Sequence, residues 1–370
     1  MKVERETAGF ALSFMAGVLL AAYSGYCIHT SSVLAPAAFI ATALSLCLTA
    51  HPARRRLSVY QQWILVASAA LAAGMVCGYT SAHISIASVS SGFSLWAEGW
   101  GLRMQEAIDN IPFTDSRCNA VAKALVTGER SDIPREIVTA FRESGASHIL
   151  ALSGLHLGII YGILDRSLSI LGNHQRIRVP RSIAIVLTCG FYTVATGAGP
   201  SIVRAFLFIF LSEFSRLNHR YHSTGQLLLA ALVIQLTLSP LSVRSAGFQL
   251  SYAAMAGIAF ILPWLRGLWP GNVYDDRLPT RFTRKIWEIC AISISCQITT
   301  GPLVWYFFGT MPRYFLLTNL LAVPLTGLII PMLIITLTLN VSGLCPLYVV
   351  QITEWLISAL IHLLEIIAAM

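Results

Sequence analysis

Apolar residues fill most of this chain in long blocks broken by short polar stretches, and the blocks show no two-residue alternation. Blocks of about 17 to 25 apolar positions suit helices that cross a hydrocarbon layer of about 30 Å, whereas a β-barrel would need alternating segments of about ten. The pattern predicts about eleven spans, at 8–28, 33–50, 61–82, 147–165, 182–198, 201–216, 223–240, 247–264, 286–308, 315–340 and 346–369. It also predicts three parts: an N-terminal transmembrane helix group at 1–82, an extracytoplasmic amphipathic connector at 83–146 and a transmembrane core at 147–370. In the connector, Leu95, Trp96, Trp100, Met104 and Ile108 stand among charges, which predicts a helix lying at the membrane interface. A second short helix is expected where Asp132 can cap, Pro134 fits the first turn and Gly145 ends it. Its stripe of Ile133, Ile137 and Phe141 is expected to rest on the outer mouth of the core.

Composition turns the pattern into a class. With 56% hydrophobic and 11% charged residues in 370 positions, the apolar surface cannot be hidden in one soluble core. The fold class is all-α, a polytopic transmembrane helical bundle with a short external helical connector. The first span lacks a small-residue cleavage site and is expected to be retained.

A net charge of +8 first suggests nucleic acid, but the cations gather in a few loops: Arg54 to Arg56, then Arg176, Arg178 and Arg181, then Arg216 and Arg220, then Arg277, Arg281, Arg284 and Lys285. All fall on one face if the N-terminus, with Lys2 and Arg5, is cytoplasmic. The basic balance is therefore an orientation signal, and the segment from His83 to Ser144 has an acidic excess unsuited to binding a duplex. Seven of the eight cysteines lie in or beside apolar spans, Cys118 is the lone external one, and no Cys/His spacing suits a metal. No cofactor is expected.

The span at 147–165 carries the candidate chemistry. Read as one helix, it places Gly154, Gly158 and Gly162 on one stripe, a seam for close approach of a neighbouring helix. Ser153 and His156 fall nearly opposite, facing another neighbour or a cavity. Polar groups at membrane depth are costly, so they are either functional or satisfied structurally, Ser153 by a carbonyl one turn back and His156 by another helix.

Four ordered stretches resemble the core of the ComEC-type competence proteins: ALVTGERSDIPREIVTAFRESGASHILALSGLHLG (Ala124 to Gly158), GPSIVRA (Gly199 to Ala205), GFQLSYAAMAGI (Gly247 to Ile258) and GPLVWYFFGTMPRYFLLTNLLAVPLTG (Gly301 to Gly327). The resemblance covers residues 118 to 369. It implies a bacterial inner (plasma) membrane protein that passes single-stranded DNA during natural transformation. Neither the OB-like nor the metallo-β-lactamase-like domain of fuller family members fits within these residues. A separate DNA receptor, nuclease and cytoplasmic motor are therefore expected as partners, besides membrane lipid, and a homo-oligomer is left open.

The matching motifs supply further candidates. Pro200 opens a helix whose amides face the outer mouth, with Arg204 one turn inside to guide a phosphate or to snorkel. Gln249 and Ser251 either line a pore or bond across helices. Asn319, Pro324, Gly327 and Pro331 interrupt the tenth span, as expected of a broken helix in a transport pathway, or of a kink. Three functions fit these residues: a conduit or permease for single-stranded DNA, an intramembrane hydrolase using Ser153 and His156, and an inactive scaffold paralogue. The hydrolase is disfavoured because two side chains three apart on one helix need not meet in attack geometry and no orienting acid accompanies them.

Overall fold

A computed structural model describes residues 2–24, 59–83, 92–170, 175–218, 223–269, 278–309 and 311–370. The helices, in chain order, begin with α1 (Lys2–Ser24), α2 (Val59–His83), α3 (Gly92–Asp109), α4 (Ser116–Thr127) and α5 (Arg135–Glu143). Next come α6 (Ser147–Leu150), α7 (Gly154–Ser169), α8 (Gln175–Ala195), α9 (Pro200–Leu217) and α10 (Thr224–Leu238). A 3-10 turn at Pro240–Arg244 leads into α11 (Ala246–Ala256), which runs through a π turn at Gly257–Ile261 into α12 (Leu262–Gly267). The chain ends with α13 (Leu278–Phe308), α14 (Phe315–Val341) and α15 (Leu347–Ala368). No strand occurs among the described residues, as the all-α class requires. Six helical stretches are long and apolar enough to cross a membrane, and two shorter apolar helices lie at Thr7–Ala22 and Thr224–Leu238. The protein is a helical membrane bundle. The span expected at 33–50 lies outside the described residues, as do Arg54 to Arg56, Arg220, Arg277 and the Leu95 side chain.

The chain divides into two units, Met1–Val89 with Arg220–Tyr252, and Ser90–His219 with Ala253–Met370. From Ser90 on, the connector shares the second unit with most of the core. In the first unit, α1 and α2 touch backbone to backbone. A Cβ on Gly17 would run into the Leu71 carbonyl oxygen, and one on Gly74 into the Phe14 carbonyl oxygen. Gly74 and Gly78 are four apart, so glycine leaves the flat surface that lets two helices meet without side chains between them. Phe14, Val18, Ala70, Leu232 and Leu236 close the core around that seam.

In the second unit, α4 is the surprise. Asp115 caps it by accepting from the Arg117 N–H at 2.8 Å, and Gly128, at φ +82°, stops it by turning left-handed. Cys118 and every residue from Ala120 to Thr127 are buried, in a core shared with Ile329 and Leu333 of α14 and Ile357 and Leu360 of α15. The α5 stripe of Ile133, Ile137 and Phe141 joins the same core. Pro134 takes the N-cap of α5, while the expected cap, Asp132, accepts instead from the Lys123 ammonium at 2.7 Å. Gly145 ends the helix region at φ +84°. The connector also follows α14 from end to end: the Thr318 hydroxyl donates to the Ser144 carbonyl at 2.7 Å, and the Asn340 amide donates to the Asn110 carbonyl at 3.3 Å.

The tenth span is a single 27-residue helix in which Pro324 and Pro331 are absorbed. Gly327, four residues before Pro331, has open space where its Cβ would be, so the carbonyl that a proline ring crowds can tilt away. The irregular helix is α11–α12, where the π turn falls just before Pro263. There a Cβ on Gly257 would strike the Ser295 carbonyl oxygen of α13 and lie 2.7 Å from the Thr299 hydroxyl. Widening the turn lets the two backbones meet.

Candidate functional site

The stretch expected as one span at 147–165 is two helices with a hinge. After the four residues of α6, Ala151 is extended (φ −76°, ψ 128°), and so is Ser153 (φ −125°, ψ 170°). Ser153 is thus the N-cap of α7 rather than a point on a helical face. Its Oγ accepts from the Leu155 N–H at 3.2 Å, and the His156 ring folds back so that Nδ1 accepts from the Ser153 N–H at 3.3 Å. This is a capping box with histidine in the place usually taken by Glu or Gln.

That geometry overturns one premise of the sequence reading, because the Ser153 hydroxyl and His156 Nδ1 do meet, at 3.0 Å. It also fixes the tautomer by argument. The Ser153 N–H can only donate, so Nδ1 accepts it and the neutral ring carries its proton on Nε2, with the Ser153 hydroxyl, which can donate or accept, taking the donor role. His156 is 1% exposed, and Nε2 has no hydrogen-bond partner among the described residues. A buried donor left without an acceptor costs about 1–3 kcal/mol, so the ring is held where it needs something it does not have.

The glycine stripe separates into two kinds of position. Gly154 packs against α9, where a Cβ would sit 3.2 Å from the Arg204 guanidinium and 3.4 Å from the Ala205 methyl. Gly158 and Gly162 have open space there, so they do not form the helix-packing seam expected of them. Close backbone seams at glycine are found instead between α1 and α2 and where Gly257 meets α13. Arg204 is buried on α9, which starts as expected with Gly199 at the N-cap and Pro200 at N1.

The far end of α7 carries a charged lock that sequence reading did not see. Asp165 accepts from Arg216 Nη1 at 3.1 Å and is paired with Arg181 as well. Glu213, 1% exposed, accepts from the Tyr161 hydroxyl at 2.9 Å, the Ser182 hydroxyl at 2.6 Å and Arg216 at 3.1 Å. Arg181 and Arg216 had been read only as loop cations that set orientation. The available signal was a glutamate inside an apolar block, which is tolerable only when paired.

Gln249 belongs to the other unit and spends its amide locally, donating to the Val243 carbonyl at 2.9 Å rather than bonding across helices. Asn319 lies in the first turns of α14 with a buried Oδ1 that has no partner among the described residues, and Gln297 Nε2 of α13 shares that condition. Gln297 was not among the sequence candidates. Among the described residues, no group of His, Cys, Asp and Glu could hold a metal.

The Competence protein family matches residues 125–370 of this chain. The chain is 28% identical over 227 residues to ComE operon protein 3 of Bacillus subtilis, which covers 60% of this chain and 26% of that protein. It is 23% identical over 228 residues to Recombination protein 2 of Haemophilus influenzae, covering 59% and 28%. With Competence protein ComA of Neisseria gonorrhoeae it shares 24% over 208 residues, covering 55% and 28%. The matched stretch is thus well under half of each of these relatives. No solved structure matches. The family match spans most of the chain and takes in both ends of the α6–α7 hinge, the α9 start and the α14 helix, so this membrane protein belongs to the Competence protein family.

Proposed function

We propose that the protein is an inner-membrane conduit for single-stranded DNA during natural transformation, with its N-terminus in the cytoplasm. The observation that carries this reading is the buried Nε2–H of His156, which has no acceptor among the described residues and is held at the start of α7 by its own capping box. A donor fixed in place and lacking an acceptor suits a passing polar polymer, which supplies acceptors in turn and keeps none. The polar atoms of Gln297 and Asn319 left without partners extend the supply of hydrogen-bonding groups within the same unit. Other chains supply duplex capture, strand degradation and the motor.

A second reading, an intramembrane hydrolase, is favoured by the 3.0 Å contact of Ser153 with His156. It is weakened by the ring's other nitrogen, which in a nucleophile–base pair would be oriented by an acid and which has no partner among the described residues. DNA uptake in a deletion strain complemented with variants separates the two. For the conduit, Ser153→Ala and His156→Gln retain uptake, since glutamine at N3 still closes the capping box, while His156→Leu abolishes it at normal membrane abundance. For the hydrolase, Ser153→Ala and His156→Gln are both dead, because an amide cannot take and return a proton. Full uptake with His156→Leu would sink both readings.

A further inference from the structure

We propose that a notch over Gly99 on α3, walled by Trp96 on one side and by the Arg103 guanidinium lying on Trp100 on the other, takes an unpaired base of single-stranded DNA at the outer entrance. The inference rests on the conduit reading and names the first contact of the entering strand.

Helix α3 spends its apolar stripe on the protein. Ala97 and Ile108 are buried, and Ile108 and Met104 join the core shared with α4, α14 and α15. A helix lying in a membrane interface would turn that stripe to lipid. The residues that α3 leaves exposed include Glu98, Arg103 and Glu106, charges that are costly against hydrocarbon, so the exposed part meets water.

Aromatic rings gathered on a water-facing surface mark a place where something docks. Trp96 and Phe191 are both exposed, and Trp96, Trp100 and Phe191 meet edge to face with centroids 5.7 to 6.2 Å apart. Phe191 stands one turn before the end of α8, and Gly101 seats the α3 backbone on that end, since a Cβ there would fall 2.7 Å from the Ala195 carbonyl oxygen. With the basic start of α8, Arg178 and Arg181, in the cytoplasm, this is the outer end.

The notch follows from the helical register. At 100° per residue, Trp96, Gly99 and Arg103 fall within about 60° of one another, and Trp96 and Arg103 are about 10 Å apart along the axis. Between them, Gly99 has no atom within 4 Å of where its Cβ would stand. Glycine inside a helix is unfavourable relative to an ordinary side chain, and here it leaves an open floor between two flat walls. The Arg103 guanidinium lies 5.0 Å from the Trp100 ring centroid and forms no ion pair among the described residues. A flat cation backed by a ring can stack on a base and reach its phosphate. Asp109 is paired with Lys123, and Glu98 lies about 140° round the helix from Arg103. Glu106, one turn beyond Arg103, weakens a purely electrostatic hold, so the fitting occupant is one held mainly by stacking. A nucleobase offers a flat ring beside a negative charge, and a lipid headgroup does not.

The test uses the full chain purified in maltoside detergent. Fluorescent oligothymidylate is the probe, and an abasic oligomer of the same length, which keeps every phosphate, is the control. Gly99→Leu fills the notch from open space and improves helix preference, so it melts no lower than the parent while affinity for oligothymidylate falls at least about fivefold. Trp96→Leu keeps an apolar side chain and weakens binding in the same way, and neither variant alters the weaker binding of the abasic oligomer. Equal affinity of Gly99→Leu and parent, or of the two oligomers for the parent, overturns the notch. If Gly99→Leu melts early, Trp96→Leu and the comparison of oligomers decide the matter. A nitroxide on Gly99→Cys in proteoliposomes reads what covers the surface: preferential relaxation by a water-soluble nickel chelate supports the proposal, and preferential relaxation by oxygen puts the notch in the bilayer and overturns it. A deletion strain that still takes up DNA refutes the conduit and leaves the notch standing, whereas a Gly99→Leu chain that binds like the parent refutes the notch even where the deletion strain loses uptake.

Discussion

Replacing glycine by alanine at two helix-interior positions gives opposite signs if the packing described above is right. In an open helix interior the exchange gains about 0.8–1 kcal/mol of intrinsic helix preference. Gly158 has nothing within contact of a new methyl, so Gly158→Ala keeps most of that gain. Gly74 has the same gain available, but its methyl would fall on the Phe14 carbonyl oxygen, with the Phe14 carbonyl carbon and the Val18 nitrogen both at 3.0 Å. These are backbone atoms of α1, which move only if the whole helix moves. Overpacking costs typically about 1–3 kcal/mol, and a rigid backbone places this case near the upper end, for a net loss of about 2 kcal/mol. The two variants then differ by about 3 kcal/mol. At about 2.1 cal/mol/K of unfolding entropy per residue, a 370-residue chain shifts by about 1.3 °C per kcal/mol, so the melting midpoints lie about 4 °C apart, with the parent between them. Thermal unfolding of the detergent-purified chain, followed by tryptophan fluorescence at one scan rate, reads the order directly. A Gly158→Ala chain that melts below the parent would show that the α7 stripe is closed by something after all, and coincident midpoints would refute the α1–α2 seam.

Other outcomes follow from the charged and polar clusters. Glu213→Leu leaves the Tyr161 and Ser182 hydroxyls and part of Arg216 without an acceptor, and loss of one partner of a buried pair costs about 3–5 kcal/mol, so membrane abundance collapses, whereas Glu213→Gln keeps a measurable fraction. In the connector, hydrogen bonding and charge from Lys123 hold the Asp132 carboxyl below the ordinary aspartate range. Its contribution is complete above the unfolded value near 4 and lost as pH falls through the lower folded one, so Asp132→Asn reduces the acid sensitivity of melting below about pH 4 by a small amount, since the pair is half exposed. Cysteines introduced near Arg178 and Arg281 resist impermeant thiol reagents in intact cells while one near Ser131 reacts; the reverse pattern refutes the orientation.

Length and apolarity located the helices well, because they are what a hydrocarbon layer demands of a sequence. They could not show how a helix begins inside an apolar block. Ile149 and Leu150 look continuous with Leu155 and Leu157, and only the Ser153–His156 spacing hinted that a cap lay between them. Prolines misled in the same way. Pro324 and Pro331 suggest a broken helix or a kink, and the helix runs on through both, while the π turn before Pro263 depends on Gly257 meeting Ser295, a contact between residues far apart in sequence. Charges were read one at a time, so Arg181 and Arg216 counted as loop cations although Asp165 and Glu213 pair with them. Helix α4 went unread as a helix because its cap, Asp115, and its stop, Gly128, flank a segment too short to register as a span.

The two hydrogen bonds that tie the connector to α14 lie 22 positions apart, from Thr318 to Asn340, or about 33 Å along the axis at the rise of an α-helix. That is close to the full thickness of a bilayer's hydrocarbon. The connector is therefore less a flap at one surface than a splint bound to the C-terminal hairpin at both ends. A splinted hairpin cannot rock about its middle. Any rearrangement within the second unit has to be sought among its other helices, and amide exchange in α14 and α15 should be the slowest in that unit.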